Sequence, residues 1–158
     1  MKIVCDASPL IFLARINKLY FLDTYQILIP DQVYAEIKIG KEKGKNEFII
    51  IDHYISQRKI HMEKTEILIR LPTTIAEGEA AVISLALQHK IQTVLIDERK
   101  ARTIAKLHDL QPKGVLAVLV EQKKQGKITD KEFKELLTKL IHFGFRISEE
   151  LLSRVYQM

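Results

Sequence analysis

The sequence predicts an α/β protein: a three-layer α/β/α sandwich with a central parallel sheet. Three observations carry that prediction. Short β-branched apolar runs (Ile3–Cys5, Ile27–Ile29, Thr93–Ile96) are each followed by a segment with helical spacing of its apolar residues. Strands that alternate with helices are joined by crossovers, run parallel, and are covered by helices on both faces. The run Ala80–Leu87 is apolar nearly all round, as a helix buried against a sheet must be.

Taken in order, the first strand is Lys2–Asp6, ending in Asp6. Ser8 then supplies a capping hydroxyl and Pro9 a first helical position for a helix through Ile16. Leu19–Thr24 reads as a short helix and Gln26–Ile29 as the second strand. Pro30 and Asp31 open a helix to Lys43, with Glu36 in its middle and Gly44 closing it. Asn46–Arg58 is amphipathic and helical, Ile60–Met62 is read as a third strand, and Glu63–Pro72 has no clear period. Thr74 and Glu77 are spaced as a capping box and open the buried helix, with Glu79 in its first turn. Gln92–Ile96 is the next strand, ending at Asp97 and Glu98. Arg99–Leu107 follows as a basic helix. Pro112–Gly114 reads as a turn, and Val115 begins a helix that ends in the basic run Lys123–Lys127. Thr129 and Glu132 are spaced as a second capping box, ahead of Phe133, Leu136, Leu137 and Leu140 at helical spacing. His142–Ile147 is read as extended and Glu149–Tyr156 as a final helix. Residues 1–158 read as one domain, with 129–158 a helical C-terminal extension.

Composition narrows the function classes. Hydrophobic residues make up 47% of 158, enough for a core, and no low-complexity tract suggests disorder. No apolar run reaches the roughly 18 residues a membrane span needs. The N-terminus reads as a strand rather than a secretory leader. One cysteine, Cys5, excludes an internal disulfide and fits a reducing cytoplasm. A net charge of +5 permits a polyanionic partner without demanding one.

The acids suggest chemistry. In a parallel sheet with right-handed crossovers all strand C-termini share one edge. Asp6 and Asp97 each end a strand, and Glu79 starts a helix whose N-terminus lies at that same edge. Carboxylates brought together need a counter-charge. Mg²⁺ or Mn²⁺ suits oxygen ligands and can activate water for attack on a phosphodiester. Arg99, Lys100 and Arg102, just after Asp97, could hold a phosphate backbone. Each residue also has a plainer role open to it. Asp6 and Ser8 could be caps, Glu79 and Glu98 could complement helix dipoles, Glu36 could be solvated, and the basic helix could be a charged surface.

DASPLI at Asp6–Ile11, VYAEI at Val33–Ile37, GEAAVISLAL at Gly78–Leu87 and LIDERKAR at Leu95–Arg102 together resemble the PIN domain. GVLAVLVEQKKQGKI and the later GFRIS resemble its DUF3368 branch of small stand-alone prokaryotic PIN-like proteins, so the resemblance covers nearly the whole chain. It implies a metal-dependent endoribonuclease using Mg²⁺ or Mn²⁺, with RNA as partner and similarity to VapC-type toxins, hence an antitoxin partner and a homodimer. It matches Asp6 to the acid after the first strand, Ser8 to the small hydroxyl residue behind it, and Glu36 to the glutamate on the helix after the second strand. Glu79 stands where typical toxins have aspartate. Asp97 and Glu98 match the acids after the fourth strand, and DERKA replaces the toxins' downstream acidic loop. The expected metal set is Asp6, Glu36, Glu79, Asp97 and Glu98, with Ser8, Arg99, Lys100 and Arg102 at the substrate. Two other readings stand beside it: a non-catalytic PIN-like nucleic-acid- or protein-binding module, and a phosphoacceptor receiver domain, for which Lys113 is the only strand-end lysine on offer.

Overall fold

The computed structural model describes residues 1–68 and 74–157. Five parallel strands form one sheet in the order β3-β2-β1-β4-β5. They are β1 (Lys2–Cys5), β2 (Gln26–Pro30), β3 (Ile60–Glu63), β4 (Thr93–Leu95) and β5 (Gln111–Lys113). The helices are α1 (Ala7–Arg15), α2 (Asp31–Glu42), α3 (Asn46–Ser56), α4 (Glu77–Gln88), α5 (Arg99–Leu107), α6 (Val115–Lys124), α7 (Asp130–His142) and α8 (Glu149–Tyr156), with a 3₁₀ turn at Leu19–Leu22. The chain first builds outward from β1 to β3. It then crosses back through α4 to lay β4 on β1's other side, so the sheet reverses its build direction between β1 and β4. Ligands of open α/β sheets bind at such a switch point.

Apolar strand sequence puts the central strands where both faces are covered. Ile3, Val4, Cys5, Val94 and Leu95 are wholly buried. α4 is sunk as its composition requires, with Gly78 to Ala86 all buried. Phe133 and Leu137 of α7 join the same core beside α6, and Phe145 meets the ring of Phe12 edge-on at 5.4 Å. Each such side chain contributes roughly 1.5–3 kcal/mol. No helix among the described residues is long and apolar enough to cross a membrane.

Four local expectations are corrected. First, α1 starts at Ala7, not after Ser8, because Asp6 takes the cap: its Oδ1 accepts the Ala7 N–H at 2.8 Å. Pro9 then occupies the third helical position, where a missing N–H costs no intrahelical bond. Second, α4 starts at Glu77, so Thr74 lies outside it. The N-cap is Ala76, whose side chain cannot accept a hydrogen bond, and the capping bond comes from Glu79, which accepts the Ala76 N–H at 2.9 Å. Third, in place of the expected turn at Pro112–Gly114, Gln111–Lys113 is an edge strand and Gly114 the N-cap of α6. Gln111 donates to the Gln92 carbonyl and Lys113 accepts from Ile96, at 2.8 Å each, so pairing uses alternate residues and Pro112 needs no donor. Fourth, the extended reading of His142–Ile147 starts too early: His142 ends α7, Phe143 and Gly144 (φ +96°) turn the chain, and Phe145–Ser148 has no regular structure. The unassigned stretch Glu63–Pro72 lies partly outside the described residues.

Candidate active site at the carboxyl edge of the sheet

Register sets the site. Cys5 pairs with Leu95, and the next residue, Asp6, donates its backbone N–H to the Leu95 carbonyl at 3.0 Å. Asp6 therefore leaves β1 beside the end of β4, two residues before Asp97. α4 returns over the sheet with its N-terminus at this edge and delivers Glu79. α2 packs against α4 and delivers Glu36.

Two glycines leave the space the carboxylates fill. A Cβ added at Gly78, the second residue of α4, would lie 2.6 Å from Glu36 Oε1 and 3.4 Å from Asp6 Oδ1. The Glu36 and Asp6 carboxylates thus both hang over one bare backbone position. A Cβ at Gly114 would lie 2.8 Å from Asp97 Oδ1 and 3.1 Å from the Arg102 guanidinium. That Oδ1 accepts the Val115 N–H at 2.8 Å, so Asp97 closes the N-terminus of α6. Its Oδ2 is buried with no hydrogen-bond partner.

The acids act on one another electrostatically. Burial, opposed by the Ala7 N–H and helped by the charges of Glu79, Glu36 and Asp97, pushes Asp6 up to about 7. Burial raises Asp97 to about 6, opposed by the Val115 N–H and by Arg102. Glu36 is raised by burial, then by Glu79 and Glu77. Its residue as a whole is exposed on α2, yet its carboxylate turns inward over Gly78, which explains why burial leads. Glu79 is raised by burial and by Glu98, against the Ala76 N–H.

Not every expected residue joins the cluster in the same way. Glu98 is exposed and its Oε2 accepts the Lys100 and Ala101 N–H groups at 2.7 and 3.2 Å, so it caps α5. Arg102 is half-buried beside Asp97, whereas Arg99 and Lys100 are exposed on the first turn of α5. Ser8 is half-buried at the second position of α1. Among the described residues no group of three or more His, Cys, Asp or Glu is arranged to hold a metal ion as it stands. The donor chemistry nevertheless fits a hard cation: all donors are carboxylate oxygens, and one of them, Asp97 Oδ2, is buried and unpartnered. The sequence reading missed Gly78, Gly114 and the Val115 N–H. A glycine beside the key acid of an otherwise buried helix was the available signal.

A family model, DUF3368, described as a PIN domain, matches residues 2–158. No curated protein matches the chain. A solved structure, a domain of a functionally unknown protein from Methanocaldococcus jannaschii, is similar to it with a TM-score of 0.49 and 18% identity, covering 72% of this chain and 89% of that one.

Proposed function

The chain belongs to the PIN-domain family, a nuclease-type fold, and from that premise we propose that it is a metal-dependent endoribonuclease that hydrolyses RNA phosphodiesters. The observation that supports this best is the convergence of carboxylates at the switch point of the sheet: Glu36 and Asp6 share the space over Gly78, and the charges of Glu79, Glu36 and Asp97 add to burial in raising Asp6. These four carboxylates would hold Mg²⁺ or Mn²⁺, and Glu98 would keep the cluster negative from its cap position. A bound ion would neutralise phosphate charge and make water a stronger nucleophile. The protein's own contributions are separable. Ala7 N–H and Val115 N–H fix one oxygen each of Asp6 and Asp97, leaving the second oxygens for the ligand. Ion binding would drive the proton off Asp6 near neutral pH and off Asp97 in mildly acid solution. Arg102 would meet a scissile-side phosphate, while Arg99 and Lys100 would grip the flanking backbone. Ser8 would orient Asp6 or a water. As a VapC-like toxin it would work in the cytoplasm as a homodimer restrained by an antitoxin.

One observation favours a second reading, a non-catalytic module that binds RNA or a protein: among the described residues the acids do not already form a closed ligand set. Mn²⁺-dependent cleavage of single-stranded RNA separates the two. Asp6→Asn and Asp97→Asn should each lower the rate by about 100-fold or more, the scale of losing a principal catalytic interaction. Cleavage at the wild-type rate in both would end the nuclease reading, and absence of Mn²⁺ uptake by calorimetry would favour the binding module.

A further inference from the structure

We infer that Gly78 is a positioning residue for Glu36, and that its missing side chain is what lets a glutamate from the middle of α2 reach the acids on the other elements. The inference rests on the metal-dependent reading above and specifies how its ligand set is assembled.

Glu36 is the outlier among the four acids. Asp6 and Asp97 follow strand ends and Glu79 starts a helix, so topology alone carries those three to one edge. Glu36 sits mid-helix on α2, flanked by the buried Val33 and Ile37 that fix the helix's rotation. Its carboxylate reaches the cluster only by crossing α4 at Gly78. There a Cβ would come within 2.6 Å of Glu36 Oε1, well inside contact distance, and within 3.4 Å of Asp6 Oδ1. Any L side chain at this position therefore occupies the place of the Glu36 carboxylate while only brushing that of Asp6.

Gly78 does not serve the backbone. Its φ lies outside the left-handed region, since it is absent among the positive-φ glycines Gly44, Gly126 and Gly144. It lies in the first turn of a helix that alanine would suit better. The atom in the way is the tip of a flexible side chain, so an alanine there should fold and simply turn Glu36 away. Gly40 is the opposite case: a Cβ there meets the ring of Phe48 at 2.3–2.4 Å, and the ring cannot move aside without reopening the α2–α3 contact.

The test uses the full chain as wild type, Gly78→Ala, Glu36→Gln and the double variant. Mn²⁺ binding is measured by calorimetry, and unfolding is followed in EDTA. Gly78→Ala should unfold at or above the wild-type temperature in EDTA, yet bind Mn²⁺ on the order of tenfold more weakly, the usual scale for disturbing a ligand's support. Glu36→Gln should show a similar loss, and the double variant no more than either alone, because both remove the same carboxylate. A crystal structure of Gly78→Ala should show the Glu36 carboxylate displaced from above α4. Wild-type Mn²⁺ affinity in Gly78→Ala, or additive losses in the double variant, would overturn the positioning role while leaving the nuclease reading intact. If wild type itself takes up no Mn²⁺, the nuclease reading and the positioning role fall together.

Discussion

Asp97 Oδ1 accepts the backbone N–H of Val115 at 2.8 Å, so the acid that follows β4 also closes the helix that follows β5. The residue therefore has two separable duties. Asp97→Asn keeps an oxygen acceptor for Val115 and removes the charge. It should fold at wild-type temperature or above in EDTA while losing RNA cleavage. Asp97→Ala removes the cap as well and should cost about 1 kcal/mol of stability. Thermal melts of both variants, set beside cleavage rates, check the separation.

Stability should depend on pH in the direction opposite to an ordinary ion-paired protein. Asp6 and Asp97 bind protons more tightly folded than unfolded, at about 7 and about 6 against 3.8. Between those limits the native state holds more protons, so its stability falls as pH rises. In EDTA the melting temperature should therefore decline from about pH 5 to about pH 8. Mn²⁺ should reverse the trend by raising the melting temperature more at the alkaline end. A melting temperature that climbs steadily over this range without metal would contradict the burial of these two acids.

Glu98 stands next to Asp97 in sequence but is engaged by α5 through the Lys100 and Ala101 amides. Glu98→Ala should lower stability by about 1 kcal/mol, or about 2–4 °C for a chain of this size. Mn²⁺ affinity should fall only slightly, through the lost negative charge beside Glu79. A loss of affinity comparable to that of Asp97→Asn would instead make Glu98 a ligand.

α4 ends in a lysine where helices favour glycine. Lys90 sits at φ +55°, with its N–H directed at the Leu87 carbonyl and the Ile91 N–H bonded to the Ala86 carbonyl at 2.9 Å. Lys90→Gly should stabilise the protein by about 0.5–1 kcal/mol by relieving the side-chain clash of a left-handed backbone. Denaturant unfolding would register it as a higher midpoint at unchanged slope.

The sequence carried the sheet's centre better than its rims. Ile3–Cys5, Ile27–Ile29 and Val94–Ile96 are apolar because both faces of those strands are covered, and that composition is visible without a structure. Gln111–Lys113 has no apolar run, and a three-residue rim strand pairs through its backbone, so nothing in its side chains announces it. Caps went astray for a related reason. Ser8 and Thr74 are good acceptors in isolation, but Asp6 and Glu79 lie closer to the amides that need a partner. The shared edge of Asp6, Glu79 and Asp97 followed from strand direction alone. How Glu36 reaches them did not, because it depends on how close α2 lies to α4. Glu98's engagement with α5 was legible as well, because an acid just ahead of a basic helix complements its N-terminus.

Pro112 has an outcome for how copies of this protein can associate. Its backbone nitrogen, turned away from β4, has no hydrogen to offer an incoming strand. One rim of the sheet is thereby refused to any neighbour that would extend it. Assembly by strand addition is left with β3 alone, so such a contact can join two molecules back to back but cannot propagate into a filament.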